Sequence, residues 1–166
     1  MAEGSRHTMK LSDLQLEIQE VIQKSFEVPR WISCEIMDIT INYSGHCYLD
    51  LIEKDDKSDR VLARARATIW ASSYRKLQPY FETRTGYELT SGIKILVLAS
   101  IEFHPVYGLS LNIKDIDPTY TLGDVERKKR EIILQLEKEG VLEMNKEIPL
   151  SAVPQKIAIV SSKTAA

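Results

Sequence analysis

In the stretch SGHCYLDL, His46, Tyr48 and Asp50 alternate with Cys47, Leu49 and Leu51. Successive side chains of an extended chain point to opposite faces. One face is therefore apolar, and the other carries an imidazole, a phenol and a carboxylate. The stretch RVLARARATIW alternates in the same way. Val61, Ala63, Ala65, Ala67 and Ile69 form its small or aliphatic face, and Leu62, Arg64, Arg66, Thr68 and Trp70 form the other. Two guanidinium groups on one face, followed by an indole and neighboured by a phenol and an imidazole, are the types that hold an anionic chain and stack on flat rings. Arg60 would share that face at the strand's start, Arg75 and Lys76 add charge just beyond it, and Tyr107 stands in a later turn. The plainer alternative stays open for each. Arg64 and Arg66 can be a solvated face paired to Asp50 or Glu35, Trp70 and Tyr48 edge packing, His46 a satisfied edge histidine, and Tyr107 a loop tyrosine.

Catalytic patterns are wanting. The chain has no HExxH, paired CxxC, GxSxG or phosphate-loop motif. Cys34, Cys47, His46 and His104 lack zinc-site spacing, and Cys47 adjoins His46 with its side chain on the opposite face. Asp55, Asp56 and Asp59 read as a charged loop tip. The cysteines, both in apolar strand-like runs, read as buried reduced thiols. No cofactor or metal site is expected in this stretch.

The elements that must position these side chains follow from the periodicity. Ser12 and Gln15 have capping-box spacing, and Leu14, Ile18, Val21 and Ile22 continue at helical spacing until Pro29. RWISCEIMDITI is a first strand, with Trp31 covering the sheet against the first helix. Asn42 to Gly45 is a turn, His46 to Glu53 a second strand, and RVLARARATIW a third. Ser72 to Glu82 is a short helix with Tyr74, Leu77 and Phe81 on one side, interrupted by Pro79. IKILVLASIEF and YGLSLNIKDI, joined by a turn at Pro105 to Gly108, form a hairpin. Thr121 and Asp124 have cap spacing for an amphipathic helix ending at Gly140. KIAIV, after Pro149 and Pro154, reads as a buried strand whose neighbours the chain has no residues left to supply.

Composition sets the bounds. The 166 residues, 43% of them hydrophobic, suffice for one domain with extra pieces. No apolar run approaches the roughly 20 residues needed to span a bilayer, and no signal peptide opens the chain, so a cytoplasmic protein without a membrane partner is expected. A net charge of −2 weighs against nucleic-acid binding on average, but a local patch can override the average.

Five strands with one helix between the third and fourth fit a mainly β fold: a five-stranded OB-fold Greek-key barrel with an N-terminal helix and a C-terminal linker helix. The motifs WISCEI, SGHCYLDL, ATIW and YGLSLNI, then LEKEGVLE, Lys146, Pro149, Pro154 and IAIVSSKTAA, resemble in order and spacing the N-terminal region of exodeoxyribonuclease VII large subunits. The resemblance runs from about Leu11 to the last residue. Cys34 departs from it, standing where that family usually has glycine, as do Ser161, Ser162 and Ala165 in the closing motif.

The resemblance implies an OB domain that binds single-stranded DNA and a catalytic domain beginning near IAIVSSKTAA, with the hydrolytic residues beyond Ala166. The whole enzyme would degrade single-stranded DNA to acid-insoluble and then shorter oligonucleotides. Its small subunit would bind through the missing C-terminal part, and its need for a divalent metal stays open. The expected organisation is a leader or disordered segment at 1–10, the OB domain at 11–118, a linker helix and connector at 119–154, and the first strand of a truncated catalytic domain at 155–166. The expected contacts to DNA are Arg64, Arg66, Trp70, Tyr48, His46, Arg60, Arg75 and Tyr107. An OB-type protein-interaction module and an RNA-binding OB domain stand as alternatives.

Overall fold

The structure, a computed structural model, describes residues 8–55, 58–147 and 161. The chain divides into two compact units, Met1–Glu126 and Arg127–Ala166. In chain order the elements are α1 (Leu11–Ser25), β1 (Arg30–Ile41), β2 (Cys47–Lys54), β3 (Val61–Ile69), α2 (Ala71–Thr85), β4 (Lys94–His104), β5 (Gly108–Asp117), α3 (Pro118–Lys138) and the short α4 (Met144–Glu147). The strands close a barrel in the order β1-β2-β3-β5-β4. β3 and β5 pair in parallel, and the other pairs are antiparallel.

The alternating residues explain the closure. Leu49 and Leu51 of β2, Ala67 and Ile69 of β3, Ile95, Val97 and Ala99 of β4 and Leu111 and Ile113 of β5 all face one core. Alanines at 67 and 99 let opposite walls approach, while the branched side chains fill the interior. α2 adds Phe81 to that core, with Tyr74 and Leu77 packed against it. Pro79 lies within α2, yet the helix continues past it to Thr85, three residues beyond the expected end at Glu82, and closes on a left-handed cap at Gly86 (φ 73°).

Two irregularities reverse the alternation inside strands. In β1 the pairing shifts between Ile36 and Asp38, leaving Met37 as an extra residue. Ile36 is buried before it, and Ile39 packs against the core after it. In β5 the shift leaves Lys114 extra, so that both Ile113 and Ile116 are buried. Each bulge changes which parity points inward and sharpens the local twist.

The helix starts differ from the expected caps. α1 begins after Lys10 without a side-chain cap, and the Ser12 hydroxyl faces Asp13 instead. α3 begins about one turn earlier than Thr121. Pro118 takes the first helical position, where its missing N–H costs nothing. The Asp117 carboxylate accepts from the Thr119 N–H at 2.9 Å and from its hydroxyl at 2.6 Å. Those bonds hold the Asp117 carboxyl below the usual aspartate range. Thr121 is buried and donates its hydroxyl to the Lys94 carbonyl at 2.8 Å, fixing the helix start to β4.

α1 packs along β4, where Gln19 Nε2 donates to the Phe103 carbonyl at 2.8 Å. Trp31, expected under α1, stays half exposed. Cys47 is fully buried and Cys34 partly so, both as free thiols. Burial pushes their pKa up to about 11 and about 12 respectively. The expected strand KIAIV lies outside the described residues.

Candidate functional site

The outer wall of β2 and β3 carries the side chains singled out by type. Its rows are fixed by register. Asp38 of β1 lies opposite Asp50 of β2, which lies opposite Arg66 of β3. One row along, Glu35, Ile52 and Arg64 are aligned; on the other side come Thr40, Tyr48 and Thr68. Thr68 faces Asn112 of β5. Because Ala65, Ala67 and Ile69 turn inward, the alternation sends Arg64 and Arg66 outward, where both are exposed.

The two arginines differ in their surroundings. Arg64 Nη2 donates to Asp50 Oδ2 at 2.7 Å. Arg66 has no hydrogen-bond or ion-pair partner among the described residues. Arg64 thus meets one of its two candidate carboxylates, while Glu35 is taken instead by Lys54 at 2.8 Å.

β3 and β5 are hydrogen-bonded only around Ala67–Leu111 and Thr68–Asn112. Towards the start of both strands the pairing lapses, and an open hollow of about 460 Å³ lies there, lined by Arg64, Ala65, Arg66, Tyr107, Leu109, Ser110 and Leu111. Tyr107, from the β4–β5 turn, is 79% exposed and tilts against His104 with ring centres 4.7 Å apart. The hollow therefore gathers two guanidinium groups and a phenol from elements distant in sequence. Leu109 and Ser110 join it, although their types gave no signal in the sequence.

His46, Trp70 and Tyr48 form a second group. His46 and Trp70 meet edge to face, with centres 5.0 Å apart and planes at 89°. The His46 Nδ1 accepts the Ala71 N–H at 3.1 Å. Trp70 and Tyr48 remain 45% and 44% exposed. Tyr43, in the β1–β2 turn, is fully exposed.

Arg60 and Arg75 are not brought to the hollow. Arg60 lies in the β2–β3 turn, where its carbonyl accepts the Asp55 N–H at 2.8 Å, and the pairing beyond it shifts between Glu53 and Lys54. Arg75 folds back on α2, its Nε donating to the Ala71 carbonyl at 3.3 Å. Among the described residues no group of three or more His, Cys, Asp or Glu side chains is placed to hold a metal ion, and no helix is long and apolar enough to cross a membrane.

A closed five-stranded barrel with a helix between its third and fourth strands defines an OB-fold. The chain belongs to the family of OB-fold nucleic-acid-binding domains, whose profile matches residues 9–117. It is similar to the exodeoxyribonuclease 7 large subunit of Deinococcus radiodurans, 32% identical over 162 residues, a match covering 95% of this chain and 38% of that protein. The large subunit of Rhodopirellula baltica is 27% identical over 164 residues, covering 98% of this chain and 33% of its own. The matches fall on the N-terminal part of these relatives, and the chain spans about a third of their length. Among solved structures, the N-terminal domain of PriB from Thermoanaerobacter tencongensis overlaps 55% of this chain at 12% identity, a loose superposition with a TM-score of 0.36.

Proposed function

We propose that this chain is the single-stranded DNA-binding module of an exodeoxyribonuclease VII large subunit, and that the strand runs along β3 past the β4–β5 turn. The observation that carries this reading is the hollow shared by Arg64, Arg66 and Tyr107. Its cations suit phosphates, and the exposed rings of Tyr107, Trp70 and Tyr48 suit unstacked bases. A duplex hides its base faces, so it would use only the cations. In the whole enzyme the module would deliver DNA to a nuclease domain that cuts it to oligonucleotides. The hydrolytic residues and the contact with the small subunit would lie outside these 166 residues, and the chain alone would bind without cutting. Residues 155–166 would open that further domain, after the connector at 119–154.

The test is fluorescence anisotropy with a labelled oligothymidine of about 15 nucleotides, near the upper site size of one OB fold. Tighter binding to it than to a duplex of the same length is expected, with saturation lost in the R64E/R66E variant while the far-UV circular dichroism is kept. Equal binding of single strand and duplex would refute the reading. Preference for an oligouridine would move it to RNA, where the 2′-hydroxyl is the added handle. No binding to any oligonucleotide at moderate salt would favour a protein partner, for which the carboxylates of Asp38 and Asp50 on the same wall would be the natural contacts.

A further inference from the structure

We infer that His46 serves the nucleic-acid face as a positioning residue, holding Trp70 in place from beside it, at the neighbouring strand's end, rather than touching the bound strand. The inference rests on the proposed binding of single-stranded DNA and adds a division of labour within that face.

α2 begins directly after β3, and its N-cap position is occupied by Trp70. An indole has no acceptor with which to satisfy the first N–H groups of a helix, a task that Ser, Thr, Asp or Asn performs at most helix starts. Trp70 accordingly makes no side-chain cap. The acceptor comes instead from His46, 25 positions away in sequence, whose Nδ1 takes the Ala71 N–H at 3.1 Å. This geometry requires Nδ1 to be without a proton, which places the proton of the neutral ring on Nε2.

The backbone that carries the imidazole is itself held. The His46 N–H donates to the Asn42 side chain at 2.9 Å, and the Asn42 N–H donates to the His46 carbonyl at 3.0 Å. Gly45, at φ +80°, closes the turn, and a Cβ there would stand 3.5 Å from the Ala71 Cβ. The β1–β2 turn is thus pressed against the start of α2. The Trp70 carbonyl accepts from Ser73 and Tyr74 at 2.9 and 2.8 Å, which fixes its backbone. The freedom left to it is the indole rotamer, and the imidazole ring, its centre 5.0 Å from that of the indole and its plane at 89° to it, limits it. With one side braced and 45% of its surface exposed, Trp70 offers a prearranged ring to a base. Ordering that ring in the free protein removes an entropic cost from binding.

Positioning and direct contact predict different results. In a W31F background Trp70 is the remaining tryptophan, so its fluorescence reports the site. H46A should raise acrylamide quenching of Trp70 in the free protein. It should also weaken binding of the oligothymidine severalfold with an unchanged slope of log affinity against log salt. W70A should weaken binding by about fivefold or more, the lower end of the range for one stacked base. H46A added to W70A should then cost nothing further, the signature of two residues acting as one. H46N, which restores an acceptor without a ring, should recover thermal stability but not the quenching. H46F, which restores a ring without the acceptor, should do the reverse.

The inference is overturned if H46A leaves the quenching unchanged, if its effect on binding adds fully to that of W70A, or if it lowers the salt slope by about 0.7, the signature of a lost phosphate contact. Should the unsubstituted chain bind no oligonucleotide at all, the proposed function falls. The quenching and stability arms would still decide whether His46 sets Trp70.

Discussion

Arg64 and Arg66 are the same residue type, two positions apart on one face, yet they should not contribute equally to binding. Arg64 is held by Asp50 at 2.7 Å, and Arg66 has no such partner among the described residues. A phosphate meeting Arg66 gains an unshared cation. At Arg64 it must compete with a carboxylate already in place. For single strands each neutralised phosphate adds about −0.7 to the slope of log affinity against log salt. R66A should therefore remove about 0.7 from the slope, which is a factor of about 2.6 in affinity between about 50 and 200 mM salt. R64A should remove distinctly less.

D50N frees the Arg64 guanidinium and should strengthen binding, steepening the slope by up to about 0.7. The ion pair is partly exposed, its side chains 57% and 26% accessible, and such surface pairs contribute about 0–1 kcal/mol. D50N should thus leave the thermal midpoint almost unmoved, which separates a binding effect from a folding one. The assay is anisotropy with a labelled oligothymidine across a potassium chloride series. Equal slope losses for R64A and R66A, or weaker binding by D50N, would refute the reasoning. The second result would mean that Asp50 aims Arg64 at the phosphate rather than masking it.

Three further outcomes test the structure. Ile113 is fully buried, and I113A should cost about 2–5 kcal/mol in urea denaturation, since the barrel cannot collapse onto the lost methylenes. D117A should cost about 1 kcal/mol through loss of the α3 cap. Because the folded Asp117 pKa is lowered, its contribution is complete above the unfolded value of about 3.9 and is lost as pH falls through the folded value; D117N should lack that acid dependence in urea midpoints measured across the range. Cys34 and Cys47, pushed up to about 12 and about 11, should resist a disulfide reagent at about pH 8 in the native chain and react at once in denaturant.

The strands were legible because a barrel wall with one side in the core must alternate, and β2 and β3 do so with few exceptions. The bulges were not. RWISCEIMDITI contains isoleucines at 32, 36, 39 and 41, which fit either parity, so only pairing with β2 and β4 shows that Met37 is the extra residue. The start of α3 was readable from Asp117-Pro118, a capping residue followed by a proline at the first helical position. The apolar period, by contrast, begins only at Leu122.

For the site, residue type and alternation set Arg64, Arg66, Tyr48 and Trp70 on an outer wall, as the structure does. Partners were beyond reach. Whether Arg64 or Arg66 meets Asp50 depends on the strand twist: Asp50 is opposite Arg66 in register but bonds Arg64. The meeting of Tyr107 with the arginines depends on the parallel closure of β3 on β5, a long-range feature that no local pattern encodes.

A chain of net charge −2 holding a polyanion looks contradictory until the charges are set in register. Asp38 and Asp50 lie on β1 and β2, and Arg66 completes their row on β3. Neighbouring strands are about 4.8 Å apart, so the sign of the local field reverses within roughly 10 Å. That distance is about one Debye length at 0.1 M salt, so a phosphate beside β3 feels the unpaired Arg66 before it feels Asp38 two strands away, while Asp50, one strand away, is engaged by Arg64. The carboxylates would still repel a strand that drifted towards β1. On the proposed reading their placement confines the strand to the β3–β5 side, where the hollow and Tyr107 are, and the acidic average becomes part of how the path is chosen rather than an argument against one.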